Sequence, residues 1–153
     1  MIKRFVFTIV ILLSVAGCQE ETRLKGAGKY GMMNASTPEG AAMLFFTGVY
    51  EKGAKLDKAL GFSTPKMQRL LKSYHTPRSV QRHVLNLTYD DTPQMQVDSG
   101  DNVGRTEFST KASVSIFFTG FSNGDKIDDL RSVEMVKINK VWKVDAIKAD
   151  KYL

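Results

Sequence analysis

Few side chains in this sequence could do chemistry. Asp129, Arg131, His83 and Tyr74 are the acid–base candidates, and none falls in a specific motif. A proton-transfer site needs such a group in a dry pocket, with a neighbour that tunes its pKa. His75 and His83 stand eight apart rather than four, which is not the spacing of a helical metal pair, so no metal is expected. Ser63-Thr64-Pro65-Lys66 has the S-x-x-K spacing of a serine acylation site, but the companion motifs are missing. Its Ser and Thr are better placed as helix caps. Cys18 is the one cysteine, so a disulfide within the chain, a cysteine zinc site and dithiol redox chemistry are all excluded. No catalytic constellation emerges, no cofactor is implied, and binding is expected ahead of catalysis.

The surroundings of Cys18 give it a different chemistry. Lys3 and Arg4 form a basic start, and residues 5–13 are an apolar run. That run is too short for a bilayer span, which takes about 20 residues, and has the anatomy of a secretory signal. Val15-Ala16-Gly17-Cys18 then resembles the lipobox of bacterial lipoproteins. The resemblance implies cleavage after residue 17, a diacylglycerol on the Cys18 thiol and a third acyl chain, such as palmitate, on its amine. Two or more acyl chains hold a protein on a membrane stably. Gln19 after the cysteine resembles the enterobacterial pattern for the outer membrane. The expected location is the cell envelope, lipid-anchored and facing the periplasm.

Removal of residues 1–17 leaves 136 of the 153 residues, enough for one self-sufficient core. The formal charge of +6 falls by two, to +4, with the loss of Lys3 and Arg4. Along the sequence the remaining cations form no run or stripe, and no nucleic-acid module is present, so no nucleic-acid partner is expected. A mildly basic surface suits a domain beside anionic lipid heads. Residues 18–36 read as lipidated N-terminus and polar tether, and residues 37–153 as a single domain.

Helices are expected first. Thr37-Pro38-Glu39, Thr64-Pro65 and Thr76-Pro77 are start signals, with Thr as N-cap and Pro at the first helical position. Gly53 and Gly61 are natural stops. Met67, Leu70, Leu71 and Tyr74 share a helical stripe. After His83 the period becomes two: Leu85, Leu87 and Tyr89 alternate with Val84, Asn86 and Thr88, which predicts a strand. Residues 95–97 form a weak strand after Pro93.

The last three strands allow a register test. Pairing outward from Asn123-Gly124 sets Val114 opposite Val133 and Ala112 opposite Met135. Pairing outward from Asn139-Lys140 sets Met135 opposite Val144, Lys137 opposite Trp142 and Val133 opposite Ala146. Both turns send Ala112, Val114, Ile116, Phe118, Val133, Met135, Trp142, Val144 and Ala146 to one face. The same register puts Asp129 opposite Phe118 and Arg131 opposite Ile116 on that apolar side. A bulge near Asp128 and Asp129 would turn them outward; without one they line the rim of a cavity. Helices covering the apolar face give an α+β domain.

Thr37-Pro38-Glu39 with Phe45-Phe46, and the closing Trp142-Lys143-Val144-Asp145 strand, resemble the nuclear transport factor 2-like superfamily, in particular its lumazine-binding-like envelope members. The resemblance covers residues 36–153 and implies N-terminal helices on a curved antiparallel sheet, closed into a cone whose open end often forms a pocket. Many members have Gly where this chain has Lys140. On that fold the possible pocket residues are Asp129, Arg131, Phe118, Trp142 and Tyr74. Phe45, Phe46, Phe62, Phe108, Phe118 and Trp142 could line an apolar ligand pocket, but all six are better read as ordinary core. The leading expectation is a non-catalytic envelope lipoprotein that binds a partner protein or a small apolar ligand. The alternatives are a carrier or enzyme using the cone cavity, and a homodimer through the sheet face around Phe117, Val136 and Ile138.

Overall fold

The computed structural model describes residues 35–98 and 109–149. The expectations about Cys18, the signal and Phe108 lie outside the described residues, as does nearly all of the tether. Four helices precede four strands: α1 (Pro38–Tyr50), α2 (Leu56–Gly61), α3 (Pro65–Tyr74), α4 (Pro77–His83), β1 (Gln94–Asp98), β2 (Lys111–Ser122), β3 (Asp125–Ile138) and β4 (Val141–Ala149). The strands form one curved antiparallel sheet in sequence order. The α+β class expected from the sequence is the class observed.

The three Thr-Pro pairs do what their chemistry dictates. Thr37, Thr64 and Thr76 each accept a hydrogen bond from the backbone N–H three residues on, at Gly40, Met67 and Ser79, over 3.1, 3.3 and 3.2 Å. Helix α1 is buried almost throughout, because it packs against α2 and α4 on one side and the sheet on the other. At Gly48 the backbones of α1 and α2 come so close that an added Cβ would lie 2.5 Å from the Ala59 nitrogen. On α3, Met67 and Leu71 enter the core as expected, but Leu70 does not and stays 43% exposed. It sits at the margin of the helical stripe.

The segment after α4 corrects a second expectation. Leu85, Leu87 and Tyr89 are buried and their neighbours are not, so the alternation is real, yet no strand forms there. Its backbone groups bond elsewhere. Leu85 and Leu87 N–H donate back to the carbonyls of Val80 and Gln81, and Asn86 turns the chain at φ 48°. The carbonyls of Leu87 and Tyr89 accept from the Tyr50 hydroxyl and the Arg78 guanidinium, both at 2.8 Å. With no ladder partner, an inward–outward pattern alone does not make a strand.

The β2–β3 register is as the Asn123-Gly124 turn sets it, unbroken from Lys111 opposite Val136 to Ser122 opposite Asp125. No bulge intervenes at Asp128 or Asp129. The bulge lies in the other hairpin: β3 and β4 follow the expected pairs from Ile138 and Val141 to Met135 and Val144, then shift by one. Glu134 therefore faces Ala146, and Val133 faces Ile147 rather than Ala146. The extra residue is Asp145, and Ile147 replaces Ala146 on the core side. Both central residues of each turn are left-handed, Asn123 and Gly124 at φ 53° and 86°, Asn139 and Lys140 at φ 50° and 67°. This matches the twist of the flanking strands. β1 adds a fourth strand, with Met95 and Val97 on the core face opposite Phe118 and Ile116.

The linker between α2 and α3 is stitched to β4. Thr64 N–H donates to the Val144 carbonyl at 2.9 Å and Val144 N–H to the Phe62 carbonyl at 2.7 Å. Thr64 Oγ1 also donates to Asp145 Oδ1 at 2.9 Å, so the bulged carboxylate steadies the residue that caps α3.

Candidate functional site

Asp129 and Arg131 lie two apart on β3, so both project from its core face, opposite Phe118 and Ile116. Arg131 Nε donates to Asp129 Oδ1 at 2.5 Å and Nη2 to Oδ2 at 3.0 Å. This two-pronged geometry is the strongest form of the pair. The Arg131 side chain is 10% exposed and that of Asp129 25%. A lone guanidinium could not stay so dry, and the carboxylate beside it is what permits the burial.

Two tyrosines complete the group. Tyr50, from the last turn of α1, meets Tyr89 edge-on with centroids 5.8 Å apart and leans on Phe118 at 5.7 Å. Phe46, one turn earlier, packs against Phe118 at 5.0 Å. Tyr89 lies so close to β2 that a Cβ on Gly120 would fall 2.6 Å from its ring. The Tyr50 hydroxyl is satisfied by the Leu87 carbonyl. The Tyr89 hydroxyl is buried and has no hydrogen-bond partner among the described residues.

Burial pushes both phenols up from their ordinary pKa. For Tyr50 the neighbouring Tyr89 adds to the rise and Arg131 opposes it. For Tyr89 the Asp129 charge adds to it and Arg131 again opposes. Both tyrosines are therefore protonated hydrogen-bond donors at neutral pH, and neither serves as a base. The Asp129 carboxylate has each oxygen engaged by Arg131. Such a group suits holding an acceptor-bearing molecule more than abstracting a proton.

The other expected pocket residues are elsewhere. Phe118 is in the group, but Trp142 is not. Their cross-strand partners, Asp129 and Lys137, are eight residues apart on β3, which separates them by about 26 Å. Trp142 is core, with Lys137 Nζ 5.6 Å from its ring centre. Tyr74 stacks on His83 across α3 and α4, centroids 5.5 Å apart. His75 closes α3 in a left-handed conformation and is exposed. The hydroxyls of the S-x-x-K match are structural: Ser63 donates to the Ala59 carbonyl and Thr64 caps α3. Phe45, Phe46 and Phe118 are fully buried and Phe62 partly, as core residues should be.

Sequence reasoning left Tyr50 and Tyr89 out of the site. Tyr89 was visible as sharing one side of the alternating segment with Leu85 and Leu87, but nothing in the sequence linked that segment to β3. Among the described residues no group of three His, Cys, Asp or Glu is placed to hold a metal, and no helix is long and apolar enough to cross a membrane. No family model matches the sequence, and none of the curated proteins compared with it matches either.

Proposed function

We propose that this chain is a lipid-anchored domain of a bacterial cell envelope, held through acylated Cys18, that binds its ligand without transforming it. The ligand is small and mostly apolar, with one hydrogen-bond acceptor, and it is taken at the Tyr89–Arg131 end of the core face. On a nuclear transport factor 2-like cone, that end would be the open one. The observation that carries the reading is the Tyr89 hydroxyl, a buried donor without a partner among the described residues. Leaving such a donor unmet costs about 1–3 kcal/mol, which a ligand oxygen recovers. The ring of Tyr50 and the Phe118 side chain supply apolar wall, and the neutralised Asp129–Arg131 pair disfavours a ligand of either charge. The lipid anchor rests on the lipobox resemblance at Val15-Ala16-Gly17-Cys18.

Native mass spectrometry of protein extracted from its own membranes tests both parts. The N-terminal mass reports acylation of Cys18. A bound molecule of a few hundred daltons is expected, with occupancy falling at least tenfold in Tyr89→Phe. Ligand-free protein, together with a Tyr89→Phe variant stabilised by 1 kcal/mol or more, would show the hydroxyl to be merely frustrated.

One observation favours a second reading, a homodimer through the outer sheet face. Phe121 is 59% exposed there, and Ile138 and Val141 are exposed too. The register puts Phe117, Phe121, Val136 and Ile138 on that same face. Light scattering at high concentration is expected to show a dimer that Phe121→Glu dissolves, and a monomer at every concentration would refute it.

A further inference from the structure

The fold gathers charge that is dispersed in the sequence. Between positions 52 and 83 there are eight Lys or Arg and one Asp or Glu, a net +7. Lys52, Lys55, Lys58, Lys66, Arg69, Lys72, Arg78 and Arg82 are all exposed. They lie on α2, α3, α4 and the turn before α2, consecutive helices that pack on one another. The rest of the described chain after His83 carries seven Lys or Arg against eight Asp or Glu, a net −1. With Glu39 and Glu51 counted in, the described helical half, residues 35–83, has eight Lys or Arg against three Asp or Glu, a net +5, while the sheet half is nearly neutral. Within that layer Lys58 reaches Glu51 at 3.4 Å and Lys66 reaches Asp145 at 3.7 Å. These exposed pairs add little stability, and each offsets one cation of the layer. Lys52, Lys55, Arg69, Lys72 and Arg82 make no ion pair among the described residues.

We propose that the helical layer docks on the anionic headgroups of a phospholipid bilayer, with α3 at its centre. A field of one sign spread over outward-facing helices matches an extended plane of negative charge. Leu70 adds a second reason. It is the one large apolar side chain exposed on these helices, and it stands on α3 between Arg69 and Lys72. A cation–leucine–cation surface suits the boundary between headgroups and acyl chains. A single-stranded nucleic acid would instead want exposed aromatic rings for its bases, and the one tyrosine of this layer, Tyr74, is stacked on His83. Docked in this way, the helices face lipid and the sheet faces away. This proposal does not depend on the ligand site described above.

The test uses the full chain with Cys18→Ser, so that no acyl chain contributes, in sedimentation with vesicles. Vesicles of phosphatidylcholine are compared with vesicles in which 30% is phosphatidylglycerol, at 0.05 and 0.5 M salt. The apolar residues 5–13 are common to every variant and contribute equally to both lipids. Partition is expected to rise at least tenfold with the anionic lipid and to lose that gain at high salt. Lys55→Glu, Arg69→Glu and Lys72→Glu combined should abolish the gain, at about fivefold or more per cation. Lys126→Glu with Lys148→Glu, on the sheet, should leave it intact. Equal partition into both lipids, or equal loss in the sheet variant, would overturn the proposal. So would tighter binding to a DNA duplex than to the anionic vesicles at 0.05 M salt. Circular dichroism of each variant confirms that it is folded.

Discussion

Removing one partner of the Asp129–Arg131 pair should destabilise the fold very unequally, depending on which partner goes. Asp129→Asn leaves a guanidinium whose side chain is 10% exposed, with no countercharge to replace the carboxylate. Breaking a buried pair costs about 3–5 kcal/mol, and the lower end applies because Asp129 itself retains some water. Arg131→Met leaves a carboxylate that is 25% exposed and can be hydrated, at a cost of about 1–2 kcal/mol. The double variant places an amide beside an apolar side chain and should return to within about 1 kcal/mol of the parent. The coupling between the two positions is then about 3 kcal/mol. Equilibrium urea unfolding of matched preparations reads this directly. With a slope near 1.5 kcal/mol per molar, Asp129→Asn should lower the midpoint by about 2 M. If Arg131→Met costs more than Asp129→Asn, or if the two losses simply add, the guanidinium is not held dry by its carboxylate and the reasoning fails.

Three further outcomes are expected. Gly48→Ala adds a Cβ 2.5 Å from the Ala59 nitrogen, so the cost of pushing α2 away should exceed the gain in helix propensity, with a net loss of about 1–2 kcal/mol by urea unfolding. Lys140→Gly relieves a left-handed lysine at φ 67° and should raise stability by about 0.5–1 kcal/mol, read as an increased Tm. Asp90 accepts hydrogen bonds from the Gly124 and Asn123 N–H groups, both at 3.1 Å, and these hold its carboxyl below the usual range. A depressed folded pKa stabilises above the unfolded value, near 3.9, and that contribution is lost as pH falls through the folded pKa. Amide exchange at Asn123 and Gly124 should therefore speed up, relative to other exposed turns, only below about pH 4. In Asp90→Asn it should be fast and lack that step.

Much of the fold could be read from local rules. The Thr-Pro pairs and glycines located the helices because capping is a contact between near neighbours. The Asn123-Gly124 turn set twelve cross-strand pairs, Lys111 to Ser122 against Val136 to Asp125, because side-chain period two leaves no freedom once a turn is fixed. Where the outcome depended on a distant partner, the sequence was silent or misleading. The bulge at Asp145 answers to Thr64, eighty-one positions away. The segment at Leu85, Leu87 and Tyr89 alternates like a strand but is claimed by α1 and α4. For the site, Asp129, Arg131 and Phe118 were legible as neighbours from register alone. Tyr50 and Tyr89 were not, since only packing of the helical half on the sheet brings them there. Lys52, Lys55, Arg69, Lys72 and Arg82 looked scattered because helical folding, not adjacency, collects them.

The stitch between residues 62–64 and Val144 has a consequence for self-association. A sheet's outermost strand invites another chain to add to it, and repeated addition is how soluble domains turn into fibrils. Here the amide and carbonyl at the centre of β4 are already taken by Thr64 and Phe62. An incoming strand would first have to prise away the α2–α3 linker and unseat the cap of α3. On that border, the domain resists polymerisation by having used its own vacancy.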